Sequence, residues 1–325
     1  MSYQRDFQKR VRLGVVGVGG HAYRNLLPAM NFLPVELVAF CDLDEARLAE
    51  TGRQYAVTAL YTDLSEMLAK VRLDAVVLVV GPGQHPRLAT EALRAGVPVW
   101  LEKPPAMRAS EIAEMIQVRG ELPVVVGFKK AFMPAVAKTK EILRRKESGK
   151  LVSVLGEYPM TLPEGGAEIL EKRDFTDWLA NGVHPLSAMI ALGGPVEAVT
   201  TLRNRFGGGL VALHYANGAT GNLHISRGPR ISPTERYSVY AEGAHVVVEN
   251  GTRVTWHRGI PFQYGKTRSF ADGGEDSGAL VWEPQHTLST LENKADFIQG
   301  IVQELDHFLQ CVLNGLPVFC GQVVV

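Results

Sequence analysis

The stretch Val11-Arg-Leu-Gly-Val-Val-Gly-Val-Gly-Gly-His-Ala-Tyr-Arg-Asn-Leu-Leu-Pro-Ala-Met30 decides how this 325-residue chain is read. The run from Leu13 to Val16 predicts a strand, Gly17, Gly19 and Gly20 a tight turn, and the apolar positions Ala22, Leu26, Leu27 and Met30 a helix. The spacing Gly17-x-Gly19-x-x-Ala22 fits a dinucleotide-binding turn. Gly17 lets the chain reverse, Gly19 leaves the backbone bare so that a pyrophosphate can approach, and small Ala22 lets the helix lie close to the strand. Free N–H groups at the helix start then face the anion.

Outward from this turn, a second strand, Val35 to Cys41, ends at Asp42. That is close to the spacing of about 20 residues at which a carboxylate binds a ribose diol. A carboxylate there repels a 2′-phosphate, which favours NAD; Arg47, one turn into the next helix, keeps NADP open. Strands and helices go on alternating to Phe128, with a continuous apolar run inside Asp74 to Val80 and further strands at Val97 to Leu101 and Pro123 to Gly127. Such alternation predicts a doubly wound parallel sheet, a Rossmann domain over residues 1–127. Past Phe128 one helical segment, Ala135 to Lys146, precedes seven strand-like segments between Leu151 and His257, punctuated by Asn217-Gly218 and Asn250-Gly251. Residues 128–325 are therefore expected to form an α+β domain with an open-faced, mostly antiparallel sheet. Gly265 to Gly278 reads as a surface loop and Lys294 to Leu313 as a helix.

With 46% hydrophobic residues the chain can bury a full core, and length alone suggests about two domains. Basic and acidic residues balance at 34 each, so no bulk field draws nucleic acid or an anionic membrane. Cys41, Cys311 and Cys320 lack metal-ligand spacing, no metal is expected, and so sparse a set suits a reducing compartment. Met1 to Arg10 is polar, and no apolar run approaches the roughly 20 residues that span a bilayer, so the expectation is a cytoplasmic protein.

In a doubly wound sheet, ligands bind at the carboxyl ends of the strands. Three segments reach that edge by this reading: Gly17 to His21, Gly81 to His85, and Leu101-Glu102-Lys103-Pro104-Pro105. A lysine leaving a buried strand beside a cationic ring is suited to exchange a proton with a hydroxyl; the plainer reading is a solvated lysine before a proline turn.

Three segments, Val15-Val16-Gly17-Val18-Gly19-Gly20, then Ala92 to Pro104 with its Glu-Lys-Pro element, then Val126-Gly127-Phe128-Lys129-Lys130, resemble the glucose-fructose oxidoreductase / inositol 2-dehydrogenase (Gfo/Idh/MocA) family. The resemblance continues through Gly182-Val183-His184 and Ala216-Asn217-Gly218-Ala219. It implies NAD or NADP held between a nucleotide-binding domain and an open-faced sheet, with a sugar or polyol as substrate. It also implies that Lys103 touches nicotinamide and substrate and that His184 is the second proton-handling group. A histidine at the start of an apolar helix is expected to titrate near neutral pH, or alternatively only to cap that helix.

The resemblance further sets Gly17, Gly19, Gly20, His21, Asp42, Pro82, His85 and Glu102 around the cofactor. The plainer readings put His21 on the surface and His85 at an exposed helix start. Lys129, Lys130, Trp178 and Asn181 become candidate substrate contacts, though Trp178 is equally suited to core packing. Glu164, Glu168, Lys172, Arg173 and Asp174 read as a solvated face or a lid. Three positions depart from the family pattern: Ala180 and Ser187 stand where many relatives carry aspartate, and Ala131 where they often carry arginine. These departures admit a second reading, a catalytically impaired nucleotide-binding sensor or scaffold. A methyltransferase is a third, for which Glu102-Lys103-Pro104 has no purpose. The uncovered sheet predicts a homo-oligomer joined through that face. The hydrophobic end Gly321-Gln-Val-Val-Val325 reads as a short member of the family or an incomplete sequence.

Overall fold

A computed structural model describes residues 6–226, 234–258, 264–266, 278–284 and 294–316. The first sheet is built from β1 (Val11–Val16), β2 (Val35–Cys41), β3 (Leu60–Tyr61), β4 (Ala75–Leu78), β5 (Val99–Leu101) and β6 (Val124–Val126), in the order β3-β2-β1-β4-β5-β6. Every pairing in it is parallel, the doubly wound topology expected from the alternating pattern. β4 is buried along its whole length, as its unbroken apolar run requires. α2 (Glu45–Tyr55) and α3 (Leu64–Lys70) are each started by an aspartate, Asp44 and Asp63, whose carboxylates accept the N–H groups of Arg47 and Glu66.

The second sheet has eight strands in the order β14-β13-β12-β11-β7-β10-β9-β8. They are β7 (Leu151–Pro159), β8 (Val196–Arg203), β9 (Gly209–Tyr215), β10 (Thr220–Ser226), β11 (Arg236–Ala241), β12 (Ala244–Glu249), β13 (Arg253–His257) and β14 (Ala279–Trp282). All its pairings are antiparallel except β10 with β7. Alternate residues are buried in β9 to β13. One face packs on α6 (Pro134–Leu143) and α9 (Val183–Gly193) through Val136, Met189, Leu223, Tyr237 and Val246. The other leaves Leu155, Leu210 and Tyr240 exposed.

Three differences from the sequence reading have physical causes. The helix after the glycine turn is not a plain α-helix: Ala22–Leu26 is wound as a π-helix, Leu27 N–H donating to Ala22 O, before one α turn over Leu27–Met30. Pro28 has no N–H for the ordinary ladder, and the wider turn delivers the chain to it. β14 arises just beyond the segment read as a loop; of that segment only Gly265, Lys266 and Gly278 are among the described residues. The final helix divides at Gly300 (φ +89°) into α10 (Lys294–Ile298) and α11 (Ile301–Asn314). α11 does not lie on the second sheet; Ile301, Val302, Leu305, Phe308 and Leu309 enter the core with Val11, Leu13, Leu26 and Leu27 beneath the first. Cys320 and the hydrophobic end at Gly321 to Val325 lie outside the described residues. Among the described residues no helix is long and apolar enough to cross a membrane, and no group of His, Cys, Asp and Glu side chains is arranged to hold a metal ion.

Candidate active site

The carboxyl ends of β1, β4 and β5, neighbours in the sheet, open onto one edge. Gly17 makes the turn there with φ +86°, and a Cβ on it would lie 2.3 Å from Val79 O. Its N–H donates to Cys41 O at 2.8 Å and Val79 N–H donates to Val16 O at 2.7 Å, which pins the corner to both neighbouring strands. A Cβ on Gly19 would first meet the Arg47 side chain at 3.6 Å, and one on Gly20 would meet nothing within 4 Å. Gly81 and Gly83, which flank half-buried Pro82, are equally uncrowded.

Asp42 stands at the end of β2. Its Oδ2 accepts from Val18 N–H at 2.8 Å and its Oδ1 from Asp44 N–H at 3.0 Å. A carboxylate offers about four lone-pair directions, so capacity remains for a diol. The Arg47 guanidinium is 3.0 Å from Asp44 Oδ2 and 3.9 Å from Asp42 Oδ1. A bare glycine corner with a carboxylate at the end of the next strand fits a pyrophosphate and its ribose; these residues fit NAD.

Glu102, buried at the end of β5, ties two segments together. Its Oε2 accepts from Lys103 N–H at 2.9 Å, and its Oε1 lies 2.8 Å from His21 Nε2. Asn25 Nδ2 approaches His21 Nδ1 at 3.0 Å, so that ring nitrogen accepts and Nε2–H is the donor to Glu102. His21 is thus a strut between the glycine turn and the lysine segment, with half its side chain exposed. His85 is neither exposed nor open to the cleft: it is fully buried, its Nδ1 lies 3.0 Å from Pro104 O, and burial lowers its pKa. It holds the segment that follows Lys103.

Lys103 Nζ donates to Ala180 O at 3.1 Å, so position 180 contributes its carbonyl although it carries no carboxylate. Ala180 belongs to α8 (Asp177–Asn181), and an ammonium near the end of a helix meets its free carbonyls. His184 enters from the first turn of α9, 8% exposed, with Nδ1 unpartnered among the described residues. Its expected titration near neutrality is not borne out: burial, then Lys103, Lys130, Lys129 and His21, push its pKa down to about 3. Ser187 Oγ–H turns back onto His184 O at 2.9 Å and does not reach the ring. Among the described residues no carboxylate appears with the groups acting on this imidazole, and with its pKa so low it is neutral at pH 7.

The remaining candidates separate. Lys130 forms a buried ion pair with Glu235 and lies 4.8 Å from the centre of the Tyr158 ring; Tyr237 O–H donates to the same carboxylate at 3.3 Å. Lys130 is therefore committed to the protein's own network. Lys129 donates to Gln299 Oε1, and burial lowers its pKa. Asn181 Nδ2 donates to Asp177 Oδ1 at 2.6 Å. Trp178 is half-buried against the second core and presses on Gly182, where a Cβ would lie 2.8 Å from its ring. The charged stretch forms α7 (Gly166–Lys172), exposed and tethered to the first half by Arg108 donating to Leu170 O and Glu171 O and by an Arg173–Glu111 pair. A cavity of about 570 Å³ lies elsewhere, between α6 and the face of α9 bearing Val183, Leu186 and Ile190; neither Lys103 nor His184 lines it.

Glu235, Tyr158 and Gln299 were not legible as site residues, because each meets its lysine across at least 28 residues of chain with no local pattern to mark it.

Residues 11–129 match the model of the "Oxidoreductase family, NAD-binding Rossmann fold", GFO_IDH_MocA. The chain is 27% identical over 226 residues to D-xylose 1-dehydrogenase (NADP(+)) 2 of Haloferax volcanii, 66% of this chain and 68% of that one. It is 26% identical over 207 residues to inositol 2-dehydrogenase of Salmonella paratyphi B, 60% of this chain and 61% of that one. The matched stretches thus span only three fifths to two thirds of these relatives. In fold it resembles the crystal structure of a dehydrogenase from Chromobacterium violaceum, with TM-score 0.77, 24% identity, and coverage of 94% of this chain and 88% of that one. Residues 11–129, which carry the glycine corner and the six-stranded sheet that presents it, thus form an NAD-binding Rossmann domain of the Gfo/Idh/MocA oxidoreductase type.

Proposed function

We propose that this protein is an NAD-dependent dehydrogenase or reductase that acts on the carbinol carbon of a sugar, polyol or related hydroxy compound, with NADP as a weaker alternative. The observation that carries this reading is the approach of Lys103 and His184 to one another through Ala180, beside a glycine corner that fits the cofactor. NAD supplies a hydride acceptor at its nicotinamide ring. Gly17, Gly19, Gly20 and Asp42 hold the pyrophosphate and ribose end, while Pro82, Glu102 and the strut His21 shape the rest of the groove. Lys103, after its ammonium has released a proton to solvent, takes up the hydroxyl proton on oxidation as the free amine, and as the ammonium returns it on reduction. His184, neutral, orients the hydroxyl by hydrogen bonding and stores no proton. Lys129, Trp178 and Asn181 border the substrate.

In this reading residues 1–127 form the nucleotide-binding unit and 128–325 the substrate and subunit-facing one, with α11 returning to stiffen the first. The exposed Leu155, Leu210 and Tyr240 support a homo-oligomer joined through the open sheet face. The buried thiol of Cys41 suits the reducing cytoplasm.

The test is turnover, followed by NADH absorbance, over a panel of sugars, polyols and their acids. Lys103→Ala is expected to lower turnover by about 10²- to 10⁴-fold while NADH binding survives. The absence, among the described residues, of a carboxylate acting on His184 is the one observation that favours a nucleotide-binding sensor. NADH binding with no turnover anywhere on the panel would decide for that sensor.

A further inference from the structure

Lys103 leaves the first sheet, whereas the carbonyl it meets, Ala180 O at 3.1 Å, belongs to the second half of the chain. That carbonyl sits on a lightly anchored segment. Among the described residues neither α7 nor α8 has a buried side chain, and α8 leans on the second core through half-buried Trp178. Bonds from Lys172 to Glu168 and from Asn181 to Asp177 stay within the two helices. Glu164, ahead of α7, pairs with Arg203 at the end of β8, again in the second half. Besides Lys103 itself, the polar contacts that tie this segment to the first half gather at the start of α5 (Ala109–Arg119), the helix that follows the lysine segment.

There Arg108 Nη2 donates to Leu170 O and to Glu171 O, each at 3.1 Å, and Arg173 pairs with Glu111. Arg108 occupies the N-cap of α5, where Ser, Thr, Asp or Asn would accept free N–H groups. A guanidinium accepts none, and it meets the positive end of that helix's dipole. Glu111 does the capping instead, its Oε2 accepting from Met107 N–H and Arg108 N–H at 3.0 Å each. The guanidinium is left to reach the last carbonyls of α7, the negative end of a second helix. Local helix chemistry disfavours arginine at this position; the bond to a carbonyl 62 residues away is what the side chain serves.

The contacts close a ring: from Lys103 along the chain to Arg108, across to α7, through Arg173 to α8, and back from Ala180 O to Lys103 Nζ. We propose that Arg108, supported by the Arg173–Glu111 pair, is a positioning residue that clamps α7 so that α8 presents the Ala180 carbonyl to Lys103. An ammonium has three donors and this carbonyl takes one, which leaves two for a substrate hydroxyl. The kinetic consequence rests on the dehydrogenase reading of the site, whereas the clamp itself can be measured without turnover.

The first test is hydrogen exchange. In Arg108→Met, exchange is expected to rise about three- to fivefold, the scale of exposed polar contacts, at amides of α7 and α8, including Ala180 N–H, which donates to Thr176 O. Exchange in β4 and β5 is expected to stay at the wild-type rate, which also establishes that the variant folds. Unchanged exchange in α7 and α8 overturns the clamp, whether or not any sugar is turned over. The second test uses whichever sugar or polyol the wild-type protein oxidises. Arg108→Met is expected to lower kcat about three- to fivefold with KM and NADH affinity little changed, and Arg108→Lys, which keeps a cationic donor, to restore part of the loss. In a Lys103→Ala background the same substitution is expected to leave the residual kcat unmoved, because its effect passes through the lysine. An equal loss with and without Lys103 overturns the positioning role. Wild-type protein that binds NADH but oxidises nothing counts against the dehydrogenase reading, and the exchange result then decides the clamp by itself.

Discussion

Asp42 provides the sharpest test of the nucleotide corner, because the same carboxylate braces the turn and, in the proposed function, binds the ribose. It accepts Val18 N–H at 2.8 Å and Asp44 N–H at 3.0 Å. Hydrogen bonds to a charged acceptor contribute about 1.5–3 kcal/mol each. Asp42→Asn keeps the shape, but its amide has one oxygen for two N–H donors, and its NH₂ group confronts whichever is left. The expected loss is one such bond, about 1.5–3 kcal/mol of unfolding free energy, read from urea denaturation. Asp42→Ala removes both, and water replaces them poorly because the side chain is only 11% exposed. NADH affinity, measured by fluorescence titration, is expected to fall about tenfold or more in the Asn variant, each decade equalling about 1.4 kcal/mol. NADPH is expected to lose less, since the repulsion between a carboxylate and a 2′-phosphate is gone. Unchanged stability together with unchanged NADH affinity in Asp42→Asn would refute this account of the corner.

Other outcomes follow from the same geometry. His184, with its folded pKa near 3 against about 6.5 unfolded, binds fewer protons folded than unfolded between those values. Stability is therefore full above about pH 6.5 and declines as the pH falls toward 3, and His184→Gln is expected to flatten part of that decline in urea titrations at stepped pH. Lys130→Ala strands Glu235 as a buried, uncompensated carboxylate and is expected to cost about 3–5 kcal/mol, whereas the double variant with Glu235→Gln recovers much of it. Gly17→Ala meets Val79 O and holds a side chain at positive φ; a destabilisation of at least about 2 kcal/mol with loss of NADH binding is expected, and a normal melt with normal binding contradicts the corner geometry.

Local chemistry carried much of this molecule into view before any tertiary contact was known. The strand–turn–helix of Val11 to Met30, the aspartate after β2, the buried run of β4 and the alternation of β9 to β13 are patterns of neighbours a few residues apart. Backbone sterics and one-sided burial determine them, so they can be read along the chain. Other features arise only when distant segments meet. Lys130 finds Glu235 105 residues later, Lys103 finds the carbonyl of Ala180 77 residues later, and α11 crosses back beneath the first sheet. The state of His184 belongs with these: its residue type allows either charge at neutral pH, and burial among three lysines makes it neutral. Sequence periodicity encodes which face of an element is apolar; the long-range packing of those faces decides which charges are left to compensate one another.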